Sequence, residues 1–264
     1  MKLSFVMQSY LGDYPGSRSN PIEKFNRAVN SFINQTNPNW ELIIVSDGCK
    51  ITEEQYMLNF TDEPRIKFKF VEPAENRMYE NNDGAVFHRG YPRQVGVEMA
   101  TGDWIGYVDS DDFIMNSAVS NLIHQLSMAD KISESRPDDT KIKMVFNTLI
   151  IENFVYLGIL KLQAEKYKED IASGKIQQPS VEGGVFQIKG LPSEWVTIGG
   201  KTMGTVFMWH KKGFPDHKWT DVQEKGTSED IIFAQKAITK YRNNLDQIKV
   251  PYYVRCHWSK LWDH

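Results

Sequence analysis

Cysteine is scarce in this chain, with only Cys49 and Cys256 among 264 residues. Two thiols so far apart make neither a disulfide framework nor a zinc-ligand spacing, so a reducing compartment is the easier reading. Long apolar runs are also missing, and none approaches the length of a membrane-spanning helix. The opening Met1-Lys2-Leu3-Ser4-Phe5-Val6-Met7 carries too short an apolar run for a signal peptide and reads as a first strand. Charge of one sign is absent too. The net charge of −3 gives no whole-chain reason to expect nucleic acid or an anionic membrane as partner. These absences lead to the expectation of a soluble, cytoplasmic protein with no integral membrane segment, at most peripheral at a membrane. No internal repeat, low-complexity tract or linker stands out. At 41% hydrophobic, 264 residues suffice for one sizeable core, so residues 1–264 are expected to form a single domain.

What is present is a strand that ends in acids. Asp103-Trp104-Ile105-Gly106-Tyr107-Val108-Asp109-Ser110-Asp111-Asp112 places an apolar run, residues 105–108, directly before three carboxylates. Three such groups repel one another unless a cation or protons intervene. Hard oxygen ligands at this density suit Mg²⁺ or Mn²⁺, and such an ion suits a diphosphate.

The first half of the chain alternates strand-like and helix-like segments. Residues 3–7 predict a strand. Asn20-Pro21 opens a helix whose apolar positions, Ile22, Phe25, Ala28, Val29, Phe32 and Ile33, keep helical spacing. Residues 41–45 predict a second strand ending at Ser46-Asp47-Gly48, and residues 65–71 a third. Residues 94–100 predict a helix stopped by Gly102. Such alternation implies an α/β fold with a mostly parallel sheet flanked by helices, whose ligands bind outside the carboxyl ends of the strands. Asp47 and Asp109 would then face one crevice. The second half is less regular. Strands are expected at 143–151, 185–188, 205–209 and 250–257, with a charged surface helix over 159–173 and a helix over 227–241. Residues 177–184 read as loop, and Gly199-Gly200 as part of a glycine-rich turn.

At these residues the chain resembles the family 2 glycosyltransferases of the GT-A fold. The likeness is strongest over residues 1–125 and resumes over 199–257. Asn34-Gln35-Thr36 followed by Glu41-Leu42-Ile43-Ile44-Val45-Ser46-Asp47-Gly48 resembles the family's first helix end and second strand. The family usually has two acids before that glycine. Here the first is Ser46, so only Asp47 carries over. Its usual Pro-Thr-Tyr becomes Gln8-Ser9-Tyr10, where only Tyr10 matches. Asp109-Ser110-Asp111 matches the family's DxD motif.

The resemblance implies a division of roles. Tyr10 would pack on the nucleotide base and Asp47 would accept from a base N–H. Asp109, with Ser110, would meet the sugar-nucleotide, and Asp111 would hold the metal. Asp112 would be either a further ligand or the N-cap of a helix starting near Ile114. Arg93, like the family's upstream arginine, would hold an acid of the site or contact the diphosphate; otherwise it is a surface arginine at a helix start. Thr227-Ser228-Glu229-Asp230 matches the family's Glu-Asp motif. It also reads as an ordinary capping pattern. By resemblance Asp230 is the catalytic base and Glu229 its support. His257, at the end of the last expected strand, would complete the metal site and favour Mn²⁺ over Mg²⁺. Trp195, Trp209, Trp219, Trp258 and Trp262 crowd the second half with no single role.

The expected activity is therefore metal-dependent, inverting transfer of a sugar from a nucleotide-sugar, with a UDP-sugar foremost, to an acceptor hydroxyl. Residues 1–125 would form the nucleotide-sugar-binding half and 126–264 the acceptor-binding half. The acceptor stays open among glycan, lipid, protein and modified nucleobase. A nucleotidyltransferase, or a sugar-nucleotide or glycan-binding module without catalysis, is the alternative.

Overall fold

In the computed structural model, the described residues are 1–13, 19–72, 78–81, 84–87, 90–146, 148–152, 168–173, 195–199, 207–213, 218–219, 233, 236–237, 239–240, 242–247 and 253–255. The first strand, β1 (Leu3–Ser9), lies in the interior of a seven-stranded sheet. On one side it pairs in parallel with β2 (Trp40–Asp47), which pairs in parallel with β3 (Ile66–Val71). On the other side it pairs in parallel with the acid-tipped strand, numbered β6 (Trp104–Tyr107). Between β3 and β6 lie a hairpin, β4 (Met78–Asn81) with β5 (Gly84–Phe87), and helix α3 (Gly90–Met99). After β7 (Phe113–Ile114) and helix α4 (Ala118–Glu134), β8 (Met144–Phe146) joins the main sheet. A later strand, β11 (Phe207–His210), runs antiparallel between β6 and β8, and β12 (Leu245–Gln247) closes that edge parallel to β8. The expected mostly parallel sheet flanked by helices is thus observed.

Alternation along the central strands separates two cores. Phe5, Met7, Leu42 and Ile44 point to one, packed by Phe25, Val29 and Phe32 of helix α1 (Pro21–Ile33) and by Leu122 and Leu126 of α4. Val6, Ile43 and Val45 point to the other, with Val97 of α3 and the aromatic residues Tyr107, Trp209, Trp219 and Phe233. Strands covered on both faces read as continuous apolar runs, which is why β1 and β2 are legible in sequence. Helix α1 starts where Pro21 predicts. Ile22, however, sits at the entry and is partly solvent-exposed rather than in the buried stripe. Gly96 lets α3 lie close on β1, since a Cβ there would stand 2.3 Å from Val6 Cγ1.

Several expectations change. Residues 143–151 are not one strand. β8 belongs to the main sheet, and β9 (Thr148–Glu152) belongs to a second sheet ordered β10-β9-β13-β7, with β10 (Trp195–Gly199) and β13 (Tyr253–Arg255). Gly199 ends a strand opposite Thr148. Helix α3 begins at Gly90, four residues before the expected start, and helix α2 (Lys50–Asn59) is an addition to the expected elements. Residues 185–188, and much of 159–173 and 227–241, lie outside the described residues; of the first helix, Lys168–Ala172 is helical. Among the described residues no helix is long and apolar enough to cross a membrane.

The opposite end of the sheet from the acids is tied by Glu41. Its carboxylate is buried and accepts from Lys2 Nζ, Ser4 Oγ, and both Thr101 N–H and Oγ1; Lys67 Nζ pairs with it at 2.8 Å. Burial alone raises this carboxyl. The donors from Lys67, Ser4, Thr101 and Lys2 outweigh that and hold it well below the usual carboxylate range.

Candidate active site at the carboxyl ends of the strands

Three adjacent parallel strands end together. β1 leads into Tyr10, β2 ends at Asp47, and β6 leads through Val108 into Asp109. The residues expected to line one crevice therefore lie along one edge of the sheet. Tyr10 is half-buried against the core, and its ring lies so close over Gly12 that a Cβ there would meet Cε1 at 2.9 Å. Asp47 is buried, opposite Val71 of β3. The turn after it is closed by Ser46, which stands where the family has an acid. Ser46 Oγ donates to the Cys49 carbonyl at 2.8 Å and accepts from Cys49 N–H, while Gly48 takes a left-handed φ of 70°. The serine thus secures the bend that presents Asp47.

The acids after β6 form a tight turn, with Asp112 N–H donating to the Asp109 carbonyl at 3.1 Å. Asp109, Ser110 and Asp111 are partly exposed, whereas Asp112 is fully buried. Asp112 is not the N-cap of a helix near Ile114. Residues 113–114 form β7, which pairs with β13, and α4 starts only at Ala118. The Asp112 carboxylate is instead directed inward, where Tyr253 Oη donates to Oδ2 at 2.6 Å.

Two arginines flank this turn. Arg93 is no surface residue: only 4% of it is exposed, in the first turn of α3. Its Nη2 lies 3.5 Å from Asp109 Oδ1, and its guanidinium sits over the Trp219 ring, 5.0 Å from the centroid. A buried cation with a carboxylate on one side and an aromatic face on another is held in a single orientation. Arg27, on α1, donates from Nη2 to the Asp111 carbonyl at 2.8 Å and lies over Phe113. It fixes the backbone of the turn that carries the Asp111 carboxylate.

Behind Arg93 stands an aromatic block. Tyr107 Oη accepts from the indole N–H groups of Trp209 and Trp219, and burial pushes its phenol well above the usual range. Trp219 also stacks on Phe233, with centroids 3.9 Å apart and an interplanar angle of 7°. Phe233 is three residues beyond Asp230 in sequence. Two of the crowded tryptophans thereby belong to the core that backs the site. Glu229, Asp230 and His257 lie outside the described residues.

The donor set fits a hard divalent cation in kind, since Asp109 and Asp111 offer partly exposed carboxylate oxygens on a braced turn. Among the described residues no three His, Cys, Asp or Glu side chains converge as a closed metal cage.

The sheet order and the acid-tipped central strand are those of a GT-A fold. The structure resembles crystal structures of S. aureus TarS residues 1–349, with a TM-score of 0.56 at 16% identity, covering 96% of this chain and 60% of that one. Another structure of the same protein was solved in complex with UDP-GlcNAc and aligns with a TM-score of 0.55 at 16% identity, over 97% of this chain and 58% of that one. The family model described as glycosyl transferase family 2 matches residues 20–132, which include α1, Asp47, Arg93 and the whole acidic turn. A Haemophilus influenzae protein called an uncharacterized glycosyltransferase is 30% identical over 99 residues, covering 38% of this chain and 35% of its own. A Rickettsia bellii protein of the same description is 26% identical over 193 residues, covering 72% of this chain and 22% of its own. Over residues 20–132 the chain is similar to glycosyltransferase family 2. It spans about a third or less of the length of these curated relatives.

Proposed function

We propose that this protein transfers a sugar from a UDP-sugar to an acceptor hydroxyl, by a single inverting displacement that depends on a divalent ion. The observation that carries this reading is the braced acidic turn at the end of β6. It lies beside the Tyr10 and Asp47 strand ends, with a buried arginine against its first carboxylate. In a family 2 glycosyltransferase this edge of the sheet is where a nucleotide-sugar belongs. TarS, which shares the fold, has been solved with UDP and with UDP-GlcNAc, so UDP is the first nucleotide to test.

In this proposal Tyr10 packs on the base and Asp47 accepts from a base N–H. Arg93 keeps Asp109 aimed at the sugar-nucleotide, and Ser110 contributes a hydroxyl beside it. Asp111 and His257 would hold Mn²⁺ or Mg²⁺, which when bound offsets the charge of the leaving diphosphate. Asp230 takes the acceptor proton as its oxygen attacks the anomeric carbon from the face opposite the diphosphate, with Glu229 supporting it. Inversion follows from that single displacement. Residues 1–125 serve the donor and 126–264 the acceptor within one catalytic domain.

The test is UDP release from a panel of UDP-sugars, UDP-GlcNAc first, with and without Mn²⁺. Metal-dependent release is expected with at least one donor. No release with any donor, despite UDP binding, would favour a binding module over an enzyme.

A further inference from the structure

The acidic turn is anchored from beneath by one phenol. Tyr253 of β13 is 1% exposed and packs in the same core as Val108 and Ile114. It reaches the turn from 141 residues downstream, because β13 pairs with β7 and sets Tyr253 opposite Ile114. Its hydroxyl makes two bonds at once, accepting from Asp109 N–H at 3.2 Å and donating to Asp112 Oδ2 at 2.6 Å. One oxygen therefore grips both ends of a turn already closed by the Asp112 N–H to Asp109 carbonyl bond.

The choice of a phenol has a physical consequence. A lysine or arginine in this place would also bind the buried Asp112, but it would cancel charge that a cation and its diphosphate need. A neutral hydroxyl bonds the carboxylate strongly and leaves the negative charge in place. The three acids then divide. Asp112 is turned inward and anchors, while Asp109 and Asp111 remain partly exposed beside the strand ends.

We propose that Tyr253 is a positioning residue for nucleotide binding: its hydroxyl, bonded to the Asp109 amide and the Asp112 carboxylate together, presets the turn that carries Asp109 and Asp111. This rests on the nucleotide-sugar reading above. The pre-set turn spares the ligand the ordering cost it would otherwise meet on binding.

The experiment compares the full chain with Tyr253→Phe, which keeps the ring and removes the hydroxyl. Amide exchange by NMR, without metal or nucleotide, reads the turn directly. Exchange at Asp109 N–H is expected to quicken at least about tenfold, while Val108 N–H, bonded to the Val6 carbonyl, stays as it was. UDP affinity in Mn²⁺, measured by calorimetry, should weaken roughly tenfold. Ring packing alone would move neither reading selectively. Asp112→Asn keeps the shape and an acceptor oxygen but drops the charge, and should weaken UDP by an intermediate factor. If Tyr253→Phe does not fold, Asp112→Asn decides the matter by both readings together, faster exchange at Asp109 N–H and weaker UDP binding. Wild-type UDP affinity in whichever variant decides overturns the proposal, whatever the exchange rates do. A wild-type protein that binds no UDP in Mn²⁺ instead sinks the nucleotide-sugar reading itself.

Discussion

Replacing Arg93 by Met separates a buried packing residue from one that organises a binding site. Methionine fills much of the same volume without charge or fork. The ion pair to Asp109 spans 3.5 Å and that carboxylate is 31% exposed, so solvent screens it and about 1 kcal/mol is at stake. The guanidinium over Trp219 is nearly water-free, and that contact contributes about 1–2 kcal/mol. Together these give a loss of about 2–3 kcal/mol, or roughly 5–10 °C in Tm for a chain of this size. If Asp109 meets the sugar-nucleotide as proposed, the same change also removes the partner that aims it. UDP affinity in Mn²⁺ should therefore fall about tenfold, equivalent to about 1.4 kcal/mol. Arg93→Lys keeps the charge but cannot stack as a plane, and should fall between. Differential scanning calorimetry and UDP titration provide the two readings. A lowered Tm with undiminished UDP affinity would limit Arg93 to packing and refute its role at the site.

Two further outcomes follow from other parts of the molecule. Glu41→Gln should cost about 2 kcal/mol at neutral pH, because the buried carboxylate loses its charge-assisted partners. Its folded pKa is depressed, so its stabilisation is complete above the unfolded value and is lost as pH falls. The Tm gap between wild type and variant should thus be widest near neutrality and close as pH falls below about 4. A gap that is constant with pH, measured by thermal melts, would show that the charge is not what matters. Asp230→Asn should keep UDP binding and lose transfer by about a hundredfold or more, as expected for removing a general base. Normal turnover by that variant, in a UDP-release assay with acceptor, would remove Asp230 from the mechanism.

The parts of the fold legible in sequence are those whose burial leaves a period. β1, β2 and β6 lie under cover on both faces and read as apolar runs, and α1 carries a regular stripe behind Pro21. Helix α2 leaves no such trace. Only Thr52 is fully buried, and Met57 and Leu58 face solvent, so its apolar residues do not mark a core face. Residues 143–151 read as one strand because apolar character continues across a change of sheet, from Met144 and Val145 to β9. At the site, Asp47 and Asp109 announce themselves by following apolar strands. Arg93 is legible through the family resemblance, but the more distant residues that brace the turn and its backing core are not. Arg27 lies 84 positions from Asp111, Tyr253 lies 141 from Asp112, and Trp219 lies 112 from Tyr107. Bonds of that range depend on strand order, which local spacing does not encode. Asp112 shows the cost of arguing locally: its place before an apolar segment suits an N-cap, yet the pairing of β7 with β13 turns it toward a buried phenol.

On the proposed function, the turn at Asp111 holds a nucleoside diphosphate together with a divalent ion. Calorimetric titration of UDP into the wild type and Asp111→Ala, with Mn²⁺ and with EDTA, tests it most directly. Binding to the wild type is expected to require Mn²⁺, and that metal-dependent binding is expected to be lost in the variant. UDP binding of equal strength in both proteins, or with the metal chelated, would contradict it.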